Sequence, residues 1–312
     1  MNFSLELSLA ILIDLILGDP KNFFHPVKLI GKLIDALRKF LFQEDSFIRG
    51  LALCLLTISA TGLFVWLVLY LTGNNFFVRI YFLYSALAWR DLKDETEIIF
   101  FALLNGNLIE ARKFLSYVVG RDTENLDETE ITRAVIETIS ENSIDGVISV
   151  IFFAALGYLI TSYFLLSNSY LLLCVWIFKA VSTLDSMVGY KKYKSFGAAS
   201  ARLDDILNFI PARLGGFIIA CQSVKAIKIF LRDRKKHSSP NSAHGESAFA
   251  GVLNIKLGGG AFYGKKFEAR PFINSEAREP EIFDIVRAWK LLDESCGAFA
   301  VLMMILILIF SL

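Results

Sequence analysis

The stretch SARLDDILNFIPARL, residues 200–214, places several ionisable side chains at the edge of an apolar run. Burying such groups without partners is costly, so they are solvated, paired, or in contact with a charged ligand. Carboxylate oxygens are ligands that Mg²⁺ prefers, and arginine forks match phosphate oxygens. We therefore predict a metal site at Asp204 and Asp205. We predict that the ligand is a polyphosphate bound to this metal, and that the neighbouring side chains contact its oxygens: Arg202, Asn208 and Arg213.

A second group of acids lies in ETEITRAVIETISENSIDGVIS, residues 128–149, which runs into a long apolar segment. Arg133, Glu137 and Glu141 recur at every fourth position, so they share one face of a predicted helix. One interpretation is a solvated stripe of salt bridges. The other is functional, because Glu141 and Asp145 stand at the mouth of the apolar helix, where Mg²⁺ needs oxygen ligands. We predict Glu141 as catalytic and Asp145 as both catalytic and metal-binding.

Asp185 has a similar position at the end of the apolar segment 169–187, and Lys191 follows it in the basic stretch YKKYK. Ordinary charge beside a membrane explains the lysines but not an acid among them. Asp185 is therefore predicted to be catalytic, and Lys191 to bind phosphate.

His25 occurs in the segment GDPKNFFHPV, residues 18–27. One interpretation is a packing residue at the start of the amphipathic helix that follows Pro26. The other is a catalytic histidine that acts together with Asp19, and His25 is kept as a catalytic candidate.

The segment SPNSAHGE, residues 239–246, is a cluster of small and polar residues. Ser239 and Asn241 are predicted to contact phosphate. The later triplet Gly258–Gly260 lacks the spacing of a P-loop, so a flexible loop is expected there.

The composition indicates a membrane protein. Hydrophobic residues make up 55% of the 312 residues, including 28 Phe, and the mean hydropathy is +0.53. Soluble domains lie near about 45–50% apolar residues. The net charge of +1 argues against a nucleic-acid partner. The four cysteines are far apart and lack CxxC spacing, so neither a disulfide framework nor a zinc site is expected.

A membrane-spanning helix needs roughly 20 mainly apolar residues. The candidate spans are 51–72, 147–166 and 169–187, with shorter or less pure ones at 3–17, 76–89 and 297–312. The N-terminal segment is expected to be a retained helix and not a secretory signal. Glu6 and Asp14 interrupt it, and no Lys or Arg precedes Lys21.

Basic loops orient the chain, because Lys and Arg accumulate on the cytoplasmic side of a membrane. The loops rich in them, all predicted to be cytoplasmic, are 18–50, 90–146, 188–203 and 225–296. Residues 204–224 then do not cross, and Pro211 interrupts a helix there, so this element is predicted to be re-entrant or interfacial. The predicted fold is an all-α integral membrane protein with about six transmembrane helices plus this element.

Taken together, these segments resemble the CbiB/CobD family, the adenosylcobinamide-phosphate synthases of cobalamin biosynthesis. The matching motifs follow the family's order over nearly the whole chain: GDP…HPV..IG at 18–31, GRDT at 120–123, EN..DGV at 141–147, TLDSMVGYK..Y..FG at 183–197, ARLDD..N.IPARL at 201–214 and SPNS…AGVL...LGG at 239–259. Val150, Ser182 and Ala243 depart from the family's usual Pro, Asn and Gly, but none of these changes removes an acid or a base.

The resemblance implies a single enzyme domain over residues 1–312, in the inner membrane, with its active site facing the cytoplasm. The implied reaction joins adenosylcobyric acid to (R)-1-amino-2-propanol O-phosphate, or to free aminopropanol, through an acyl phosphate. ATP is the implied co-substrate and Mg²⁺ the implied cofactor. Further expected partners are the lipid bilayer and either a second copy of the chain or other enzymes of the pathway, with no nucleic acid.

Two alternatives to this enzyme stay open. One is a membrane transporter, in which Arg79, Lys179 and Asp185 mark an ion path. The other is a non-catalytic membrane sensor of the AmpE type. A transporter concentrates unusual residues at mid-membrane in broken helices, whereas here they concentrate in loops and at helix ends.

Overall fold

A computed structural model of the chain describes residues 3–20, 24–165, 169–189 and 193–310. The helices in this part are α1 (Phe3–Leu17), α2 (Pro26–Leu41), α3 (Phe47–Leu71), α4 (Phe76–Tyr84), α5 (Trp89–Leu104), α6 (Leu108–Val118), α7 (Glu128–Asn142), α8 (Ser149–Tyr163), α9 (Ser169–Val188), α10 (Lys194–Leu207), α11 (Phe209–Ala220), α12 (Val224–Asp233), α13 (Ser242–Leu253) and α14 (Asp284–Ile309). A π-helix, Ser143–Ile148, lies between α7 and α8. The strands are β1 (Leu257–Gly258), β2 (Ala261–Tyr263), β3 (Lys266–Glu268) and β4 (Phe272–Ile273).

Backbone contacts divide the chain into two compact units. The first unit contains the residues up to Ala88, Ser149–Asn208, and the residues from Val301 onward. The second contains Trp89–Ile148 and Phe209–Ala300. Each unit is therefore assembled from separate stretches of the chain.

Four helical stretches are long and apolar enough to cross a membrane: Phe47–Leu71, Glu128–Tyr163, Tyr170–Val188 and Asp284–Ile309. They overlap the predicted spans 51–72, 147–166, 169–187 and 297–312. The other two predicted spans correspond to α1 and α4, which have 15 and 9 residues. These helices fall short of the roughly 20 residues that a span requires. The predominantly helical architecture is confirmed, whereas the predicted count of six spans is not.

The first unit is built around α3, α9 and α10, which pack against one another. A Cβ atom on Gly50 of α3 would lie 1.9 Å from the carbonyl oxygen of Phe196 on α10, so only glycine permits this close approach. α8 packs against α9. α2 begins with Pro26, whose missing N–H is harmless in a first helical turn, and lies against α3 and α9.

α1 and α4 also pack together in the first unit, through a buried ion pair. Arg79 Nη2 donates to Glu6 Oε2 at 2.6 Å, and the two side chains are 6% and 0% exposed. Each charge compensates the other in the protein interior, where a charge without a partner would be very costly. Arg79 thus has a structural partner, which weakens its assignment to an ion path.

The second unit contains two groups of packed helices, α5 with α6 and α7, and α11 with α12 and α13. Its strands form two antiparallel pairs, β1 with β4 and β2 with β3. These strands have only two or three residues each, so they are a small addition to the predicted helical fold. They lie in the glycine-containing segment after α13, where no apolar period indicated a strand.

The polypeptide leaves α10 at Asn208 and enters α11 at Phe209. Pro211 therefore lies in the first turn of α11, where a missing N–H breaks no helical hydrogen bond. The predicted break in the helix is present, at Asn208 between α10 and α11. Pro211 lies after this break, inside α11, so the proline does not cause it. α11 has 12 residues, too few to cross a bilayer that needs roughly 20.

Candidate functional site

Arg121 and Glu137 form a largely buried ion pair in the second unit. Arg121 Nη2 donates to Glu137 Oε2 at 2.5 Å, and the side chains are 16% and 7% exposed. Glu137 lies on α7, whose first turn is fixed by a capping box of Asp127 and Glu130. Burial alone would lower the pKa of Arg121, but the charge and hydrogen bond of Glu137 raise it above its usual value. The guanidinium therefore stays charged.

Asp122, the next residue after Arg121, attaches this loop to the hairpin of β2 and β3. Its N–H donates to the Phe262 carbonyl oxygen at 2.8 Å. Its carboxylate accepts the N–H groups of Gly264 at 3.1 Å and Lys265 at 2.7 Å. The acid of the GRDT motif thus has a positioning role, because it holds the loop that carries Arg121.

The second oxygen of Glu137 is bound by the glycine triplet. The Gly258 N–H donates to Glu137 Oε1 at 2.7 Å. Gly258 has a φ of +79°, and a Cβ atom there would lie 2.6 Å from the Pro271 carbonyl oxygen, so a side chain does not fit. The segment that we expected to be a loop therefore contributes a residue of β1 that holds a site carboxylate.

Glu246 is a second interior carboxyl group of this unit. It lies on α13 and is 5% exposed. Burial, together with the nearby Glu137 and Glu141 carboxylates, raises the pKa of Glu246 to about 8. Arg270 and Arg121 oppose this shift. Glu246 is therefore mostly protonated at neutral pH. Because its pKa lies close to neutral pH, a fraction is ionised there, so the group can either donate or accept a proton.

Arg270 brings a second guanidinium to the same place. Its Nη1 is 3.0 Å from His237 Nε2, and its Nη2 donates to the Tyr263 hydroxyl at 2.7 Å. Paired arginines and glutamates around one cavity can stabilise developing negative charge and move a proton. We call this space the Glu246 cavity; its lining includes Arg121, Glu137, His237, Glu246, Gly258 and Arg270.

Four of the predicted site residues lie together at the N-terminal end of α13. Arg213 Nη1 donates to Asn241 Oδ1 at 3.2 Å, and the Asn241 N–H donates to Ser239 Oγ at 3.2 Å. Ser242 Oγ donates to Glu141 Oε1 at 3.0 Å. The structure therefore brings Glu141, Arg213, Ser239 and Asn241 to one helix end.

Asp145 lies in the π-helix that follows α7, and it is half-buried. Such wide helical turns are frequent at functional sites. Among the described residues, no group of three or more His, Cys, Asp or Glu side chains is arranged to hold a metal ion. Mg²⁺ commonly binds through one or two carboxylates plus substrate phosphates. In the described ranges, the side chains suit that arrangement better than a cage made of protein ligands alone.

Several other predicted residues lie in the first unit and have protein partners there. His25 Nε2 is 3.1 Å from Asp19 Oδ1. Asn208 Nδ2 donates to Asp204 Oδ2 at 3.0 Å, and Ser149 Oγ donates to Asn208 Oδ1 at 2.7 Å. Both the amide nitrogen and the amide oxygen of Asn208 are therefore engaged within this unit.

The remaining predicted site residues are described by a ring contact or by their burial. The Arg202 guanidinium lies 5.7 Å from the centroid of the Phe47 ring. Asp205 and Asp185 are half-buried, on α10 and near the end of α9. Lys191 falls outside the described residues.

Three residues of the Glu246 cavity, Arg121, Glu246 and Arg270, were not predicted as site residues from the sequence. Arg121 lies inside the recognised GRDT motif, and Glu246 is the only acid in the small-residue run SAHGESAFAG. The interpretation of the α7 acids as a solvated stripe is wrong at Glu137. That side chain is 7% exposed and pairs with a residue outside its own helix.

These observations define a class: a predominantly helical protein that has several helices of membrane-spanning length and a buried site of acids and arginines. The chain belongs to the CobD/Cbib protein family, whose sequence profile matches residues 7–292. This confirms the resemblance seen in the motifs.

Curated relatives named "Cobalamin biosynthesis protein CobD" are similar over most of the chain. The relative from Clostridium perfringens is 40% identical, covering 91% of this chain and 91% of its own length. The one from Pelobacter propionicus is 42% identical, over 87% and 85%. The one from Citrobacter koseri is 38% identical, over 91% and 91%. No solved structure matches the chain.

Proposed function

We propose that this protein acts in cobalamin biosynthesis as an ATP-dependent acid–amine ligase. It would join adenosylcobyric acid to (R)-1-amino-2-propanol O-phosphate, giving adenosylcobinamide phosphate, or use free aminopropanol as the amine. Membership of the CobD/Cbib family and the names of the curated relatives support the pathway. The observation that carries the reaction type is the Glu246 cavity, which combines a protonatable buried carboxyl group with two guanidinium groups.

The proposed chemistry follows from the poor reactivity of a carboxylate towards an amine at neutral pH. A carboxylate oxygen of the corrinoid attacks the γ-phosphorus of ATP, and the bond to the ADP oxygen breaks. The resulting acyl phosphate is attacked at its carbonyl carbon by the amine nitrogen. The carbon–oxygen bond to phosphate then breaks, so that an amide, inorganic phosphate and one proton are released.

In this proposal Glu246 in its ionised form takes the proton that the attacking amine loses. A group whose pKa lies near the working pH is best suited to that exchange. Arg121 and Arg270 supply fixed positive charge for the carbonyl and phosphate oxygens that become more negative during the reaction. Glu137 keeps Arg121 oriented through the hydrogen bond at 2.5 Å.

The phosphates are assigned to the N-terminal end of α13, where Arg213, Ser239 and Asn241 meet. Glu141, at the same helix end, and Asp145 are the proposed carboxylates for Mg²⁺ in this unit. When bound with the nucleotide, Mg²⁺ would neutralise phosphate charge.

Within the first unit, Asp204 and Asp205 stay proposed Mg²⁺ ligands, and Arg202 and Asn208 stay proposed phosphate contacts. The catalytic roles proposed for Asp185 and His25 and the phosphate contact proposed for Lys191 rest on their motifs alone. The apolar helices and basic loops support the proposed inner-membrane location, the association with the bilayer and a site on the cytoplasmic side. The proposed association with a second copy or with other pathway enzymes rests on the resemblance to the family alone.

A product assay tests the function directly. Purified protein is incubated with adenosylcobyric acid, ATP, Mg²⁺ and aminopropanol phosphate, and the corrinoids are analysed by mass spectrometry. The proposal expects adenosylcobinamide phosphate and one ADP per product, with both lost when ATP or Mg²⁺ is omitted. Unchanged adenosylcobyric acid from protein that is folded would refute the ligase.

A further inference from the structure

Arg213, Arg234 and His244 form a basic cluster in the second unit. They come from three helices that pack together: Arg213 from α11, Arg234 from the C-terminal end of α12, and His244 from the first turn of α13. Phe230 lies beside two of them, with its ring centroid 5.8 Å from the His244 ring and 5.8 Å from Arg234 Cζ. The charge of Arg234 also acts on Arg213, so the two guanidinium groups repel each other.

Several other arginines of this unit contrast with that cluster, because each is in contact with a carboxylate: Arg90 with Asp94, Arg121 with Glu137, Arg232 with Asp233, Arg278 with Asp284. Ion pairs of this kind leave no net charge to be balanced by a ligand.

Arg213 and Arg234 are arranged differently. Among the described residues, Arg213 donates only to neutral oxygens of α11 and of the cap of α13, the Phe209 carbonyl at 2.6 Å and Asn241 Oδ1 at 3.2 Å. Arg234 Nε is buried and has no hydrogen-bond partner among the described residues. In the part of the chain that the structure describes, neither guanidinium contacts a carboxylate, so the two like charges act on each other, which is unfavourable unless an anion joins them.

His244 supplies a second, independent sign of a missing partner. Its side chain is 2% exposed, and within the described part of the chain its Nδ1 makes no hydrogen bond. Burial and the charge of Arg213 lower the pKa of His244 to about 4, so the ring is neutral at physiological pH. A buried polar atom without a partner is rare in native structures and calls for an explanation.

The helix itself adds to this preference for an anion. His244 lies in the first turn of α13, where unsatisfied backbone N–H groups and the helix dipole favour negative charge. The cap residue Asn241 makes no side-chain hydrogen bond to that turn, and instead accepts one from Arg213.

We propose that Arg213, Arg234, His244 and the first turn of α13 bind one phosphate group. A phosphate dianion offsets the repulsion between the two arginines, accepts hydrogen bonds from both, and provides a partner for His244. This inference deepens the proposed function, because the phosphate there belongs to a substrate, but binding itself requires no ligation. The same chemistry is offered by a phospholipid headgroup, and the experiment separates the two sources.

The test is thermal unfolding of the purified full chain in a neutral detergent, at constant ionic strength, with inorganic phosphate replacing chloride. The wild-type unfolding temperature is expected to rise with the phosphate concentration, because a ligand that binds the native state stabilises it. Arg234→Gln should unfold at a temperature at least as high as wild type in chloride, since the repulsion is gone, and should lose the specific phosphate shift.

Arg232→Gln is the matched control, because Arg232 lies on the same helix but pairs with Asp233. It should keep the wild-type phosphate shift, and the comparison removes the general effect of phosphate on protein stability. Equilibrium dialysis of radiolabelled phosphate against Arg213→Gln gives a second measurement that does not depend on unfolding.

A parallel titration uses micelles with phosphatidylglycerol in place of inorganic phosphate. If phosphatidylglycerol raises the unfolding temperature of the wild type while inorganic phosphate does not, and Arg234→Gln loses this rise, the phosphate belongs to a lipid headgroup. A full phosphate response in both Arg234→Gln and Arg213→Gln, or no response of the wild type to either probe, overturns the site. Phosphate binding in protein that forms no product would retain the site and refute only the ligase.

Discussion

Glu137 and Gly258 meet through one hydrogen bond although 121 residues separate them: the Gly258 N–H donates to Glu137 Oε1 at 2.7 Å. The other oxygen of this carboxylate accepts from Arg121 at 2.5 Å. Glu137 is therefore fixed from two directions, by a backbone group and by a charged side chain. This hydrogen bond connects α7, which leads into the EN..DGV motif, with the glycines at the end of the SPNS…LGG motif.

Glu137→Gln tests this arrangement as a stability change. Glutamine keeps an oxygen for the Gly258 N–H but leaves the largely buried Arg121 guanidinium without its counter-ion. Removing one partner of such a pair should lower the free energy of unfolding by on the order of 3 kcal/mol. Chemical or thermal unfolding in detergent measures the change.

The control for this variant is Asp94→Asn, because Asp94 pairs with Arg90 on an exposed face where both side chains are 46% exposed. Asp94→Asn should lower the free energy of unfolding by about 0.5 kcal/mol or less. Equal effects of the two substitutions would contradict a special role for the Arg121–Glu137 pair.

Glu246→Gln tests the buried proton through the pH dependence of stability. The folded protein raises the pKa of Glu246 from 4.5 to about 8, so this group's stabilising contribution is complete below pH 4.5. It is lost as the pH rises through about 8, because the unfolded carboxyl ionises freely and the buried one does not. The wild-type unfolding temperature should therefore fall over this range relative to Glu246→Gln. Parallel curves for the two proteins would show that Glu246 ionises normally.

The same variant should also be defective in turnover. Loss of a proton acceptor typically costs about 100-fold or more in rate. If Glu246 takes the amine proton, kcat should fall by that order while ATP binding, measured by equilibrium dialysis, stays near wild type. A kcat close to wild type at every pH would assign the proton to another group.

Arg213→Lys tests the geometry of the phosphate contacts. Lysine keeps the charge but loses the planar fork and the contact with the Phe209 ring, whose centroid is 3.4 Å from Arg213 Cζ. We expect kcat/KM for ATP to fall on the order of 10-fold, the equivalent of one charge-assisted hydrogen bond of about 1.5 kcal/mol. Near-normal kcat/KM would instead indicate an arginine that reaches lipid headgroups. Arg232→Lys is the matched control and should stay near wild type.

The prediction that 204–224 does not cross the membrane is tested by labelling single cysteines at Ser195 and Ser238, both exposed positions, in a chain whose exposed Cys221 is replaced by Ser. A membrane-impermeant thiol reagent should reach both positions from the cytoplasmic side, because the flanking segments are basic. Labelling from opposite sides would require a further span between them.

The sequence predicted the helical segments and the family because both depend on local patterns. Apolar runs such as 51–72 and motifs such as SPNS are visible without any tertiary contact. Arg213 and Asn241 were each assigned to phosphate from separate motifs, and they lie in contact, with Arg213 Nη1 donating to Asn241 Oδ1 at 3.2 Å. The span at 76–89 was wrong in length because hydropathy does not report where a helix ends; α4 stops at Tyr84.

The Glu246 cavity escaped prediction for a different reason. A lone glutamate among small residues resembles an ordinary helix position, and its raised pKa arises only when Glu137 and Glu141 are folded against it. Likewise, the sequence spacing of Arg133, Glu137 and Glu141 suits a solvated stripe, whereas the partner of Glu137 comes from the loop before α7. Pairing across long sequence distances is set by packing, which no local period encodes.

The central claim, activation of the corrinoid carboxylate by ATP, is tested most directly by oxygen transfer. Adenosylcobyric acid carrying ¹⁸O in its reacting carboxylate is converted with ATP, Mg²⁺ and aminopropanol phosphate, and the released inorganic phosphate is analysed by mass spectrometry. An acyl phosphate transfers one carboxylate oxygen to the departing phosphate, so we predict phosphate with a single ¹⁸O atom for each amide formed. Product accompanied by phosphate without ¹⁸O would contradict the account.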